Sequence, residues 1–350
     1  MKENTRRLID YSLPAVFENI LQTSVGFVDS VLIAKISLVA VSAVSLVNGV
    51  MAVYQAVFIA LAVAVATVVS NAAGARASKA VSENVRQSIA LSLMVGVILS
   101  ILSLVLAHPI LRAMGASGDI LQQGIIFFRV IAGTSVLIVL MTVLGQLIRT
   151  AGQTRTPLTI NLIVNILNFC LDFILIFGLF GFPRLGILGA GIGTALSRLI
   201  GVGLLFHKLQ QTSHRLQGPI FTRDQHIFKT EIVKRALPIM GERLMMRLGD
   251  IVIFVIIIAY GSKVFAGNAI GETITAYNYL PAFGFATGAS ILIARAYGAK
   301  DHLEIRKLTK TSFVMTAIIS TLVGGIIFAF STFILNFFTF DAVAVSAAQV

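Results

Sequence analysis

SLPAVFENIL, residues 12–21, returns as ALPIMGERLM at residues 236–245, pairing Pro14 with Pro238 and Glu18 with Glu242 at an offset of 224. The same offset joins GARASKA, from Gly74, to GAKDHLE, from Gly298, and Ile110 and Leu111 of PILRAM to Ile334 and Leu335 of FILNFF. Register held over some 100 residues is not chance. The chain contains a long internal repeat, and the material repeated is apolar. Of its 350 residues 57% are hydrophobic and 12% charged, with a mean hydropathy of +0.93, whereas soluble domains carry about 25% charge. Nine apolar runs, at about 9–33, 43–71, 88–110, 122–148, 158–180, 186–207, 232–259, 266–296 and 311–338, reach the roughly 20 residues a helix needs to cross a bilayer. Their length and lack of strict alternation predict helices rather than a barrel.

The first copy holds six runs, an even number, so the second copy re-enters the membrane in the same orientation. Parallel repeats about an axis along the membrane normal are a transporter architecture with the substrate site between the halves. The expected organisation is a first six-helix lobe over 1–207, a basic linker over 208–235 and a second lobe over 236–350. That second lobe stops after three helices, nine of an expected twelve, so the chain is either a fragment or a variant with an incomplete second half.

The net charge of +12 reports topology. Segments that share a side with the N-terminus carry 19 lysines and arginines, and the other side carries only Lys35, Arg112, Arg184 and Lys263. By the positive-inside rule this places the N-terminus in the cytoplasm of a multi-pass protein of the cytoplasmic membrane, and no nucleic-acid partner is expected. Pro14, Glu18 and Asn19 interrupt the first apolar run, which reads as an uncleaved helix and not a signal peptide. Cys170 is the one cysteine, so no internal disulfide forms, and the histidines lack metal-ligand spacing. There is no Walker A motif, and GILGAGIGT lacks a true GxGxxG and its strand.

Polar residues within the apolar runs carry the functional signal. Asn161, Asn165, Asn168 and Asp172 share one stripe, roughly 60° wide, of the fifth helix. Glu18, Gln22 and Asp29 form a similar stripe on the first helix, and Ala190, Thr194 and Ser197 line the sixth with small or hydroxyl groups. A charge at mid-membrane costs roughly 2.5–3.5 kcal/mol and is kept where it meets water, a partner or an ion. Two acids in one cavity hold a proton tightly. The oxygens of Asp29, Asn168, Asp172 and Thr194 equally suit a hard monovalent cation such as Na⁺. Proton and Na⁺ both make the cluster a coupling site; the structural alternative is that Asp172 pairs with Arg198 and fixes packing. Glu18 and Glu242, each four residues after a proline, either cap backbone freed by the bend or accept substrate charge. Gln22, Asn165 and Tyr277 are further candidates for a substrate cavity. Glu242, Arg243, Arg247 and Asp250 are expected to neutralise one another along the seventh helix.

GFVDS at 26–30 with AVSAVSL at 40–46, QLIRTAGQTRTPL at 146–158, NFCLD at 168–172 and LGILGAGIGTALS at 185–197 resemble, in order, segments of the multidrug and toxic compound extrusion (MATE) family. The resemblance implies twelve helices in two six-helix lobes and export of organic cations and amphipathic drugs in exchange for Na⁺ or H⁺, with no other cofactor. It assigns the coupling site of the DinF-like prokaryotic branch to Asp29, Asn168, Asp172 and Thr194 with the Ala190 carbonyl, and conformational bending to Pro14. A second-lobe cation site is not expected, because the matching register near Met245 and Met246 is apolar. The expectation is therefore a cation-coupled antiporter, monomeric and surrounded by lipid, taking small cationic or amphipathic substrates. The alternative is a flippase for lipid-linked oligosaccharides of the same superfamily, which calls for cationic cavity walls where this chain offers acids and amides. A membrane enzyme would need a nucleophile or metal set that the scattered histidines do not supply.

Overall fold

A proline within a long apolar run must either end its helix or bend it, and four runs in this chain continue through one. In the computed structural model, which describes residues 2–221, 231–258 and 262–331, Pro14, Pro109, Pro238 and Pro281 all lie inside helices. The described residues form α1 (Lys2–Ala34), α2 (Leu38–Gly74), α3 (Ser78–Ala113), α4 (Gly118–Ile131), α5 (Ser135–Thr150), α6 (Arg155–Phe177), α7 (Ile187–Gln210), α8 (Glu231–Ile258), α9 (Ser262–Gly298) and α10 (His302–Ala329). They contain no strand. Ile334 and Leu335, on which part of the repeat was read, lie outside the described residues, as do Arg223, His226 and Lys229 of the linker.

The fourth apolar run, expected as one span, is two helices bent by 43°. The sequence of the break explains it. Gly133 has no side chain to resist the turn, and a Cβ there would strike the Arg129 carbonyl oxygen. Thr134 Oγ1 donates to the carbonyls of Val130 and Ile131, at 2.8 and 3.1 Å, and Ser135 Oγ to that of Ala132 at 2.6 Å. The hydroxyls thus take up carbonyls that the interrupted ladder releases. Helices α1, α2, α3, α6, α7 and α10 are each long and apolar enough to cross a membrane, and the bent pair supplies a seventh span. Among the described residues α8 and α9 match these in length but carry more polar groups: α8 holds Glu242, Arg243, Arg247 and Asp250, and α9 holds Asn268, Glu272 and Asn278.

In lipid, helices gain little from hiding apolar area, so close packing holds them together. Val69, Leu144, Leu147 and Leu205 centre one cluster among α2, α3, α5, α6 and α7; Val47, Leu111, Phe128 and Ile176 centre another nearer the opposite ends. A third, with Leu8, Val16, Phe285, Leu292 and Leu308, ties α1 to α9 and α10. Phe313, Leu322 and Phe328 stay exposed on α10, as lipid-facing side chains do.

The sequence repeat becomes a spatial two-fold at the seam between its copies. Helix α1 packs on α9, and its counterpart α8 packs on α2, while α2 crosses α9 near the axis. Glycines permit each approach: a Cβ at Gly284 or Gly288 would run into the backbone of Val16 or Ser12 on α1. At the crossing, Gly74 abuts the backbone of Arg295, and Gly298 abuts the backbone of Asn71. These four residues exchange under the offset of 224, so the contact is its own image. The turns that follow match as well, with left-handed backbone at Arg76 (φ 55°) and Lys300 (φ 57°).

Candidate functional site

Three helices build the polar cluster. Helix α6 packs on both α1 and α7, and glycine makes the α6–α7 contact close. A Cβ at Gly189 would press on the Leu175 backbone, and one at Gly193 would collide with Asp172 Oδ1. The Asp172 carboxylate therefore lies against a bare stretch of α7. Asn168 and Asp172 are 5% and 2% exposed. Asn168 Nδ2 donates to Thr194 Oγ1 at 3.2 Å, and that hydroxyl donates to the Ala190 carbonyl at 2.9 Å. This chain of two bonds orients the Asn168 amide and brings four of the five expected coupling residues onto one α6–α7 surface. The fifth, Asp29 of α1, stands within electrostatic reach of Asp172, and Arg198 of α7 is near both.

Arg198 does not close an ion pair with either acid: among the described residues no Arg198 nitrogen comes within 4.0 Å of a carboxylate. Asp29 Oδ1, Asp172 Oδ1, Asn165 Nδ2 and Arg198 Nη1 are all buried without a hydrogen-bond partner. Buried polar atoms in native structures are nearly always satisfied, so a group of orphans in one place points to a guest. Among the described residues no three histidine, cysteine or acidic side chains converge. A cation here would draw on amide, hydroxyl and carbonyl oxygens besides the two carboxylates.

Glu18 belongs elsewhere. It is 9% exposed and receives the Arg149 guanidinium, through Nη2, and Asn161 Nδ2 at 2.5 Å. Each of its carboxylate oxygens already accepts a hydrogen bond, and it does not cap the bend at Pro14. The carbonyl that Pro14 leaves without its N–H is that of Asp10, four residues back, and Thr154 Oγ1 donates to it at 2.9 Å. The start of α6 thus steadies the bend of α1. Sequence spacing could place Glu18 near a proline but could not supply Arg149, which arrives from α5. The expected counterpart, Glu242, is exposed on α8. Gln22 is exposed, Asn165 half-buried, and Tyr277 41% exposed on α9. Of Glu242, Arg243, Arg247 and Asp250, Arg247 and Asp250 do pair at 3.2 Å, while Arg243 lies over the Phe283 ring at 5.4 Å.

The family model MatE matches the chain twice, over residues 14–174 and 238–350, two starts separated by the repeat offset. Among curated proteins, the probable multidrug resistance protein NorM of Thermotoga maritima is 29% identical over 97% of this chain and 73% of its own length. The chain spans between 43% and 54% of the length of four further curated relatives. A solved structure described as the outward-facing conformation of a multidrug resistance MATE family transporter of the MOP superfamily superposes with a TM-score of 0.90 at 23% identity, covering 99% of this chain and 78% of that one. A MOP superfamily transporter from Pyrococcus furiosus, whose binding pocket is described as reversed in polarity, gives 0.88 at 23% identity over 99% and 76%. These likenesses establish the fold.

Proposed function

The chain belongs to the MATE family of multi-pass membrane transporters, and on that premise we propose that it is a cation-coupled antiporter exporting cationic or amphipathic small molecules. The observation that carries this reading is the pair of buried, unpartnered carboxylate oxygens, Asp29 Oδ1 and Asp172 Oδ1, beside a single guanidinium. Two carboxylates and one guanidinium leave a net charge of −1 in the cluster. One monovalent cation, a proton or Na⁺, balances it, which supports a stoichiometry of one. The acidic balance argues against a pyrophosphate-bearing lipid as cargo at this cluster, and no catalytic step is invoked.

Cation entry would neutralise the cluster and draw α1 toward α6 and α7, and Pro14 gives α1 the bend through which such a movement passes. Substrate, preferring the other arrangement, would expel the ion. Coupling needs only that each ligand favour a different state. The N-terminus and the linker are assigned to the cytoplasm by charge, so the ion would enter from outside. The test is ethidium efflux from cells lacking their own pumps, with Na⁺ and H⁺ gradients imposed separately. Efflux should follow one gradient with the native chain and vanish with Asp172→Asn at equal membrane abundance; unchanged efflux in that variant would sink the mechanism.

A further inference from the structure

At the end of the bundle where α2 crosses α9 lies a cavity of about 660 Å³, unrelated to the acidic cluster. Its walls present Arg76 from the turn after α2, Lys79 and Arg86 from α3, His214 and Arg215 from the segment after α7, and Arg295 from α9. Glu83 is its one acidic side chain. Among the described residues, none of these arginines or the lysine has a carboxylate within 4.0 Å, and Arg86 Nε is buried without a partner. Five cations line one cavity with a single acid among them, so an anion entering it would relieve their mutual repulsion.

The repeat supplies an internal control. Under the offset of 224, Arg76 corresponds to Lys300 and Arg86 to Lys310, so the second copy keeps basic residues at both positions. It also has Asp301 and Glu304, where the first copy has Ala77 and Ala80. Asp301 caps α10 through the Glu304 N–H at 2.8 Å, and Glu304 pairs with Arg7 at 2.6 Å. In the first copy no side chain caps α3. Glu304 thus reaches across to α1, and the first copy has no acid at either of these two positions. Burial holds the His214 imidazole below its usual pKa, against a hydrogen bond it donates to the Leu147 carbonyl, and Arg295 lowers it further; an anion would offset that last effect.

We propose that this cavity binds a phosphate-bearing anion, which bridges α2, α3 and the post-α7 segment to Arg295 of α9 and so holds the two copies of the repeat together at this end. A phosphate group matches the demand: it accepts several charge-assisted hydrogen bonds at once from guanidinium groups. Either a lipid headgroup or a soluble phosphate compound presents that chemistry.

The test measures thermal unfolding of the full chain in two arms. One titrates inorganic pyrophosphate in a non-ionic detergent at matched ionic strength. The other compares nanodiscs of phosphatidylcholine alone with nanodiscs containing equal parts phosphatidylglycerol. The native chain should melt higher in at least one arm; a response to pyrophosphate assigns a soluble ligand, and a response to phosphatidylglycerol alone assigns a headgroup. Arg86→Gln with Arg215→Gln should lose the shift. Ser78→Glu, which puts an acid on the cavity wall in the first turn of α3, where negative charge is welcome, should lose it with the fold intact. No shift of the native chain in either arm, or the same shift in Ser78→Glu, would overturn the proposal.

Discussion

Glu18 and Arg149 have each given up water for one opposite charge, and the exchange is only as good as the pair. Removing one partner of a buried ion pair typically costs about 3–5 kcal/mol, because the other is left charged and unpaired, whereas replacing both with apolar groups is often neutral. Glu18→Ala should therefore lower stability by that order in detergent unfolding experiments, and adding Arg149→Met should recover most of the loss. A different residue-scale constraint acts at Gly193, where a methyl group would occupy the place of Asp172 Oδ1. Gly193→Ala is expected to cost about 1–3 kcal/mol, as overpacking does, and to lower the melting temperature. Gly203→Ala, on the same helix with open space around it, should be neutral or slightly stabilising. The two sites differ in how far they were legible. Asn168 and Asp172 could be read as one face because helical spacing aligns them, and Thr194 of the next helix joined them through the family resemblance. The partner of Glu18 sits 131 residues away, at the end of a run that shows no sign of it, and only tertiary packing could reveal it.

Between helices, what decides proximity is the absence of side chains. The matched glycines at 74 and 298 were visible in the repeat itself, but nothing in one sequence says that each rests on the backbone of the other copy. Periodicity reports which face of a helix is apolar; it does not report which neighbour presses on it. The bend between α4 and α5 was missed for a related reason, since Gly133, Thr134 and Ser135 are tolerated in straight membrane helices when their neighbours satisfy the backbone. The crossing itself can be tested. In a Cys170→Ser background, spin labels at positions 78 and 302 report the separation of the starts of α3 and α10. Gly298→Val should lengthen or broaden that distance by forcing α2 and α9 apart, while Gly325→Val, with nothing within 4 Å of its Cα substituent, should leave it unchanged. An unaltered distance in Gly298→Val would mean that the crossing yields without separating the ends.

At the scale of the whole molecule, the charges and the helices must agree on which end faces which compartment. The even number of spans in the first copy puts the start of α1, the α2–α3 turn and the segment after α7 at one end, and the α6–α7 connection at the other. The first end carries the basic cavity and most of the lysines and arginines; the connection at the other, residues 178–186, carries Arg184 alone. Lysine and arginine near the ends of membrane helices are retained on the cytoplasmic side during insertion, so this asymmetry is the ground for the proposed orientation of the bundle and the proposed direction of exchange. Phe182 and Ser213 are exposed, one at each end. In the Cys170→Ser background, Phe182→Cys should react with a membrane-impermeant maleimide on intact cells, and Ser213→Cys should react only after the cells are opened. The reverse pattern would invert the bundle, put the basic cavity outside the cell, and require the coupling cation to reach Asp29 and Asp172 from the other compartment.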